Sequence, residues 1–239
     1  MAETLVEICV DTVDGIAAAA RGGADRIELC SALALGGMTP SVGLMTAAAG
    51  CGLPVHAMIR PRAGGFRWRH ADLTAMRDDV AAVGEAGLAG VVIGALDDRG
   101  GLDLPVLRAL MADAAGLSVT LHRCIDLIED RVTAMEQAID LGIGTILSSG
   151  GAARAVDGLG ELGRLMDRAA GRITIMPGSG ITADTVWHLR GLSPLAIHAS
   201  CSVAVTEEDD VVRLGFGPID RRDTSAEAVR ALVAEVRAW

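Results

Sequence analysis

Glycines close four successive amphipathic stretches at Gly87, Gly116, Gly142 and Gly171, spaced 29, 26 and 29 residues apart. Each suits a helix stop, because a residue without Cβ takes the left-handed conformation that ends a helix. Each is followed within a few residues by an aliphatic run of strand length: 90–96, 118–123, 145–149 and 173–176. A period near 30 residues holds one strand, one helix and two short connections. The pattern extends in both directions. Strand-like runs at 5–10, 26–30 and 54–59 come before it, one at 195–199 comes after it, and helical patterns fill 42–49, 182–190 and 226–237. Eight strand-helix units in 239 residues, with no linker, predict an α/β chain forming a single (β/α)8 TIM barrel over residues 1–239. An open doubly wound sheet fits less well, since no Gly-x-Gly-x-x-Gly turn follows the first strand.

Side-chain parity tests the barrel independently. One face of the strands is aliphatic: Val6, Ile8, Ile27, Leu29, Val55, Ile59, Val119, Leu121, Ile173, Ile175, Leu195 and Ile197. Alternation places these under the helices. The other face then points into the barrel and carries Glu7, Cys9, Glu28, Cys30, His56, Met58, Arg60, His122 and His198. So many ionisable groups must be paired, hydrogen-bonded or set at a wet mouth.

Composition removes several chemistries. The 51% hydrophobic content supports a sizeable core, yet no apolar run reaches the ~20 residues of a bilayer span. The first residues show no basic region leading into an apolar one, so a cytoplasmic protein is expected. A net charge of -10 disfavours nucleic acid and anionic membrane as partners. Lysine, asparagine and tyrosine are absent, which excludes Schiff-base lysines, Walker-type phosphate binding and tyrosine acids. The five cysteines follow no zinc-finger spacing and read as reduced thiols.

Barrel chemistry gathers where strands end and βα loops begin. An acid-base set collects there, Glu7, Glu28, His122, Asp126 and His198, with Asp126 four residues after His122 as a candidate orienting carboxylate. Facing it is an anion-binding set of Arg60, Arg62 and Arg123 with the glycine turn Gly178-Ser179-Gly180, whose backbone N–H groups suit an anion. Glu7 and Glu28, on neighbouring strands, can share a proton or an arginine. Phe66, Trp68 and Phe216, three of only five Phe and Trp residues, follow strands three and eight and are candidates for a partial lid. Cys9 and Cys30 share inward parity on adjacent strands, and soft thiolates prefer Cu(I).

These residues carry a resemblance. Val6 to Asp11, Gly22 to Cys30 with Gly36 to Ser41, Ile59 to Arg62, Val119 to Arg123, Leu147 to Gly150 and Met176 to Gly180 together resemble the CutC family of copper homeostasis proteins. The resemblance runs through all eight strands in order. It implies a cytoplasmic TIM barrel, usually a homo-oligomer, with Cu(I) bound through cysteines, here Cys9 and Cys30. Gly64-Gly65-Phe66 stands where the family usually has Gly-Asp-Phe, and residues 201–223 are only weakly similar. The matched positions are mostly acids, bases and arginines. A metal-independent barrel enzyme acting on a small anionic substrate is therefore the alternative expectation.

Overall fold

The computed structural model describes residues 3–239. Strand β1 (Leu5–Val10) leads into helix α1 (Val13–Gly22), followed by β2 (Arg26–Leu29), α2 (Val42–Ala49), β3 (Val55–Met58), α3 (His70–Glu85), β4 (Gly90–Ile93) and α4 (Leu104–Asp113). Then come β5 (Ser118–Leu121), α5 (Arg131–Asp140), β6 (Thr145–Ser148), α6 (Leu159–Ala169), β7 (Thr174–Pro177) and β8 (Ala196–Ala199). All eight strands are parallel, in the order β7-β6-β5-β4-β3-β2-β1-β8. A single bridge between Gly178 and His198 joins the last two and nearly closes the barrel.

Local chemistry explains the punctuation. Thr12 caps α1 by accepting from the Gly15 N–H at 2.9 Å, and Asp103, Asp130 and Ser225 cap later helices in the same way. Such caps contribute about 1 kcal/mol each. Asp11, the residue before Thr12, accepts from the Leu33 N–H at 2.9 Å and ties down the loop after β2. The aliphatic face predicted from parity forms one continuous core between sheet and helices, with Ile8, Ile27, Leu29, Ile59 and Leu121 fully buried. Leu195 differs: it precedes β8 and is exposed.

Three expected elements change form. The runs expected at 90–96 and 118–123 pair as strands only to Ile93 and Leu121, because the chain turns out of the ladder; His122 already caps a 3-10 turn, Arg123–Leu127. The helix expected at 182–190 is a seven-residue 3-10 segment, Val186–Leu192. At ~2.0 Å rise per residue it spans about 14 Å, the length of a four-residue strand, where an α-helix needs about nine residues.

After β8 the chain forms an antiparallel hairpin, β9 (Ser202–Ala204) and β10 (Arg222–Thr224), with a short helix α7 (Asp209–Arg213) in its loop, then α8 (Ala226–Arg237). Helix α8 packs on α1, where a Cβ at Gly22 would come within 2.4 Å of Val229 Cβ. Arg237 clamps it down by donating to Asp25 and to the Thr4 carbonyl.

Candidate metal centre

The register of β8, β1 and β2 brings the inward residues together. Glu7 lies beside Arg26 on one side and His198 on the other, and Cys9 lies beside Glu28. His198 Nδ1–H donates to Glu7 Oε1 at 2.8 Å, and Arg26 Nε donates to Glu7 Oε2. With Nδ1 engaged, the free ring nitrogen of His198 is Nε2. It faces Glu28 Oε2 at 3.7 Å, too far for a hydrogen bond. Cys9 Sγ completes a group whose three ligand atoms all lie within 4.8 Å of one another, and all three residues are buried. Gly178 makes room for the imidazole: a Cβ there would sit 3.2 Å from His198 Cβ and 2.5 Å from Leu147 Cδ1.

The electrostatics follow from burial and pairing. Desolvation pushes the Glu7 carboxyl up, but the His198 bond and the charges of His198 and Arg26 outweigh it and pull its pKa down to about 2. Burial also works against a charged His198. The Glu28 carboxylate, Cys9 and the Glu7 hydrogen bond overcome it, holding the imidazole well above its ordinary value. Glu28 is raised by burial and by the Glu7 charge, and its buried Oε1 has no partner among the described residues.

This donor set fits a soft metal ion. Around an ion with bonds of about 2.0–2.3 Å, tetrahedral ligands stand roughly 3.3–3.8 Å apart, so the 3.7 Å gap between His198 Nε2 and Glu28 Oε2 matches that spacing. A ligating histidine ordinarily donates its second N–H to a carboxylate. Glu7 already accepts that bond. Cys30, expected as a ligand, stands outside the three-residue group; its thiol donates to Glu28 Oε2 at 3.6 Å, and burial and the Glu28 charge push its pKa far up. The two residues expected as acid-base groups, Glu28 and His198, thus join one of the two expected thiols.

The other predicted residues serve different ends. Asp126 does not orient His122. Its carboxylate takes the Arg123 Nε at 2.9 Å, the Ser148 hydroxyl at 2.6 Å, the Ser149 hydroxyl at 2.8 Å and the N–H groups of Ser149 and Gly151. Sequence adjacency misled because the turn after β5 sends Asp126 toward β6. His122 accepts from the Cys124 N–H, leaves Nε2 without a partner among the described residues and packs against Phe66; burial, then Arg60, lower its pKa to about 3.

Arg60 spends Nη1 on the Leu35 and Gly37 carbonyls and Nη2 on Gly64, fastening two mouth loops together. Arg62 pairs with Asp72 and lies over Trp68. The Gly178 N–H donates to the Ser148 carbonyl, the Ser179 hydroxyl to the Ala153 carbonyl, and Gly180 packs against Arg154. Phe66 meets Trp68 edge to face and packs on His122, while Phe216 stands exposed. Arg26 was not singled out beforehand, although it shares inward parity with Glu28 two residues on; the β1–β2 register makes it the arginine that Glu7 needs.

These features define a class: a TIM barrel holding a buried thiol–imidazole–carboxylate cluster within the C-terminal half of its strands. Residues 4–202 match the model of the CutC family. The chain is 51% identical over 240 residues to a family protein CutC of Rhizobium meliloti (strain 1021), covering 100% of this chain and 98% of the relative. It is 47% identical over 238 residues to one of Caulobacter vibrioides (strain NA1000 / CB15N), covering 98% and 97%. A solved CutC structure from Streptococcus agalactiae, a protein named for copper homeostasis, superposes with a TM-score of 0.79 at 28% identity, over 82% of this chain and 98% of that one. Thiamine phosphate pyrophosphorylase from Pyrococcus furiosus, with TM-score 0.60 and 14% identity over 98% of this chain and 96% of that one, shares the fold alone. The chain belongs to the CutC family.

Proposed function

We propose that this protein binds one Cu(I) ion as its cargo in copper homeostasis, with Cys9 Sγ and His198 Nε2 as ligands and Glu28 beside them. The observation that carries this reading is the Glu7–His198 hydrogen bond, which commits Nδ1 and leaves Nε2 as the ring nitrogen available to join Cys9 and Glu28. Thiolate and imidazole suit Cu(I) better than carboxylate does. Cys30 and Met58, packed together next to Glu28, supply further soft sulfur close by. Binding displaces the proton held on His198, so Cu(I) affinity rises with pH. No described helix is long and apolar enough to cross a membrane. A cytoplasmic setting keeps such thiols reduced. We extend the reading to a homo-oligomer, on the exposed apolar residues Leu214, Phe216 and Ile219 in the β9–β10 segment.

Reduced protein is titrated anaerobically with Cu(I) against a chromophoric Cu(I) chelator. One equivalent is expected to bind. The Cys9→Ser, His198→Gln double variant loses that binding, and Glu7→Gln weakens it about 10- to 100-fold, the usual effect of removing a carboxylate behind a ligating histidine. Wild-type Cu(I) uptake by the double variant overturns the assignment.

A further inference from the structure

A second polar space lies at the other end of the barrel. It is a partly open cavity of about 340 Å3. Arg26 at the head of β2, His56 in β3, Ser118 at the head of β5 and Thr145 at the head of β6 line it, together with the end of α4 and the chain that follows it. A water molecule occupies about 30 Å3 of liquid, so the space suits a small metabolite rather than a lone ion.

Its lining contains no Asp or Glu, in a chain whose net charge is -10. The cation in that lining is Arg26. Its Nε edge is committed to Glu7 and its Nη2 meets the weak acceptor Met176 Sδ at 3.4 Å, but Nη1 donates to no protein group among the described residues. His56 is 4% exposed, and its buried Nδ1 has no partner among the described residues. The ring is fixed over Gly90, where a Cβ would come within 2.8 Å of Nε2. Burial, then the Arg26 charge, lower the His56 pKa to about 4, so at neutral pH the ring is an uncharged hydrogen-bonding group. The C-terminal end of α4 carries a partial negative charge and disfavours an anion on its own side. A ligand's charge therefore belongs at Arg26, with hydroxyl or amino groups toward α4.

We propose that this cavity binds a small oxyanion-bearing molecule, a carboxylate or a phosphate, with the Arg26 guanidinium as its charge partner and His56 as a neighbouring hydrogen-bonding group. The site is separate from the Cys9 cluster, and metal-free protein tests it. Glycolate, acetate, inorganic phosphate and sulfate are titrated at constant ionic strength while the His56 ring resonances are followed by NMR. A saturable shift is expected, and the relative affinities of glycolate and phosphate separate the two oxyanion sources. Arg26→Gln should weaken binding at least tenfold. Because Arg26 also supports Glu7, a second variant plugs the rim instead. Gly144 lines the cavity, and a Cβ there meets nothing nearer than the Val119 carbonyl oxygen at 3.9 Å. Gly144→Trp should abolish the shift while leaving Tm unchanged. If no probe gives a saturable shift in wild type, the cavity holds water only and the proposal fails; it fails equally if Gly144→Trp binds like wild type.

Discussion

Two polar clusters stand at strand ends of this barrel, and they differ in how completely their hydrogen bonds are satisfied. Around Asp126, on the β5–β6 side, the carboxylate meets hydroxyls, backbone N–H groups and a guanidinium, all between 2.6 and 3.2 Å. Around Glu28, on the β1–β2–β8 side, one carboxylate oxygen has no partner among the described residues, and the other takes only a thiol bond from Cys30 at 3.6 Å, with His198 at 3.7 Å. A saturated buried network rigidifies a fold, whereas buried polar atoms left short of partners cost stability and persist where something else is to be bound. The first cluster reads as architecture and the second as a site. Composition alone does not separate them, since both hold a buried acid, a base and hydroxyl or thiol groups.

The largest expected effect tests the architectural side. Asp126→Ala leaves the Ser148 hydroxyl and the N–H groups of Ser149 and Gly151 without their acceptor, a loss of about 3–5 kcal/mol at about 1–3 kcal/mol per unpaired donor. Denaturant unfolding should show that loss, while Cu(I) affinity of the folded variant stays unchanged. A variant of wild-type stability that no longer bound Cu(I) would reverse the comparison.

The pH dependence comes next in size. Glu7 falls from an ordinary 4.5 to about 2 on folding, so its contribution is present above 4.5 and is lost as pH drops toward 2. At 1.36 kcal/mol per unit that contribution is on the order of 3 kcal/mol. His198 works in the opposite sense: its pKa is raised, so its contribution holds at low pH and is lost as pH rises through the folded value. His56 and His122, lowered to about 4 and about 3, resist protonation when folded, so stability also declines as pH falls below 6.5. Glu7→Gln should therefore be less stable at pH 7 and flatter between pH 4.5 and 2. An unchanged acid limb in that variant would remove Glu7 from the account.

Much of the barrel was legible because it rests on periodicity. The strand alternation separates Ile8, Ile27 and Leu121 from Glu7, Glu28 and His198, and a parallel barrel then has one interior in which the latter must meet. The pairings depend on register, which alternation does not specify. Glu7 can face Arg26 or Glu28 depending on how far β2 is offset, and only the observed offset sets Cys9 beside Glu28. The arginines misled for a related reason. A guanidinium at a strand end looks the same in sequence whether it awaits an anion or, like Arg60, fastens loops through the Leu35, Gly37 and Gly64 carbonyls. The cavity beside Arg26 lay beyond prediction, because a void is defined by side chains that stop short, here at Gly116, Gly142 and Gly144.

The smallest expected effect is the sharpest test of the contrast. Glu28 is buried, its pKa is raised, and its Oε1 has no partner among the described residues, so its charge is held at a cost that the fold does not recover locally. Replacing it with the isosteric amide removes that cost and forfeits its charge attraction for His198, which keeps its bond to Glu7, while the amide oxygen still accepts from the Cys30 thiol. Glu28→Gln should change unfolding free energy by less than about 1 kcal/mol, in either direction, as is common when a functional group is traded for stability. Asp126→Asn, the same chemical change in the saturated cluster, should cost more than about 2 kcal/mol, because each lost charge-assisted bond matters there. Measured side by side in denaturant, equal losses for the two variants would mean that Glu28 belongs to a structural ion-pair lattice filling the barrel, and the distinction between site and scaffold would fall with it.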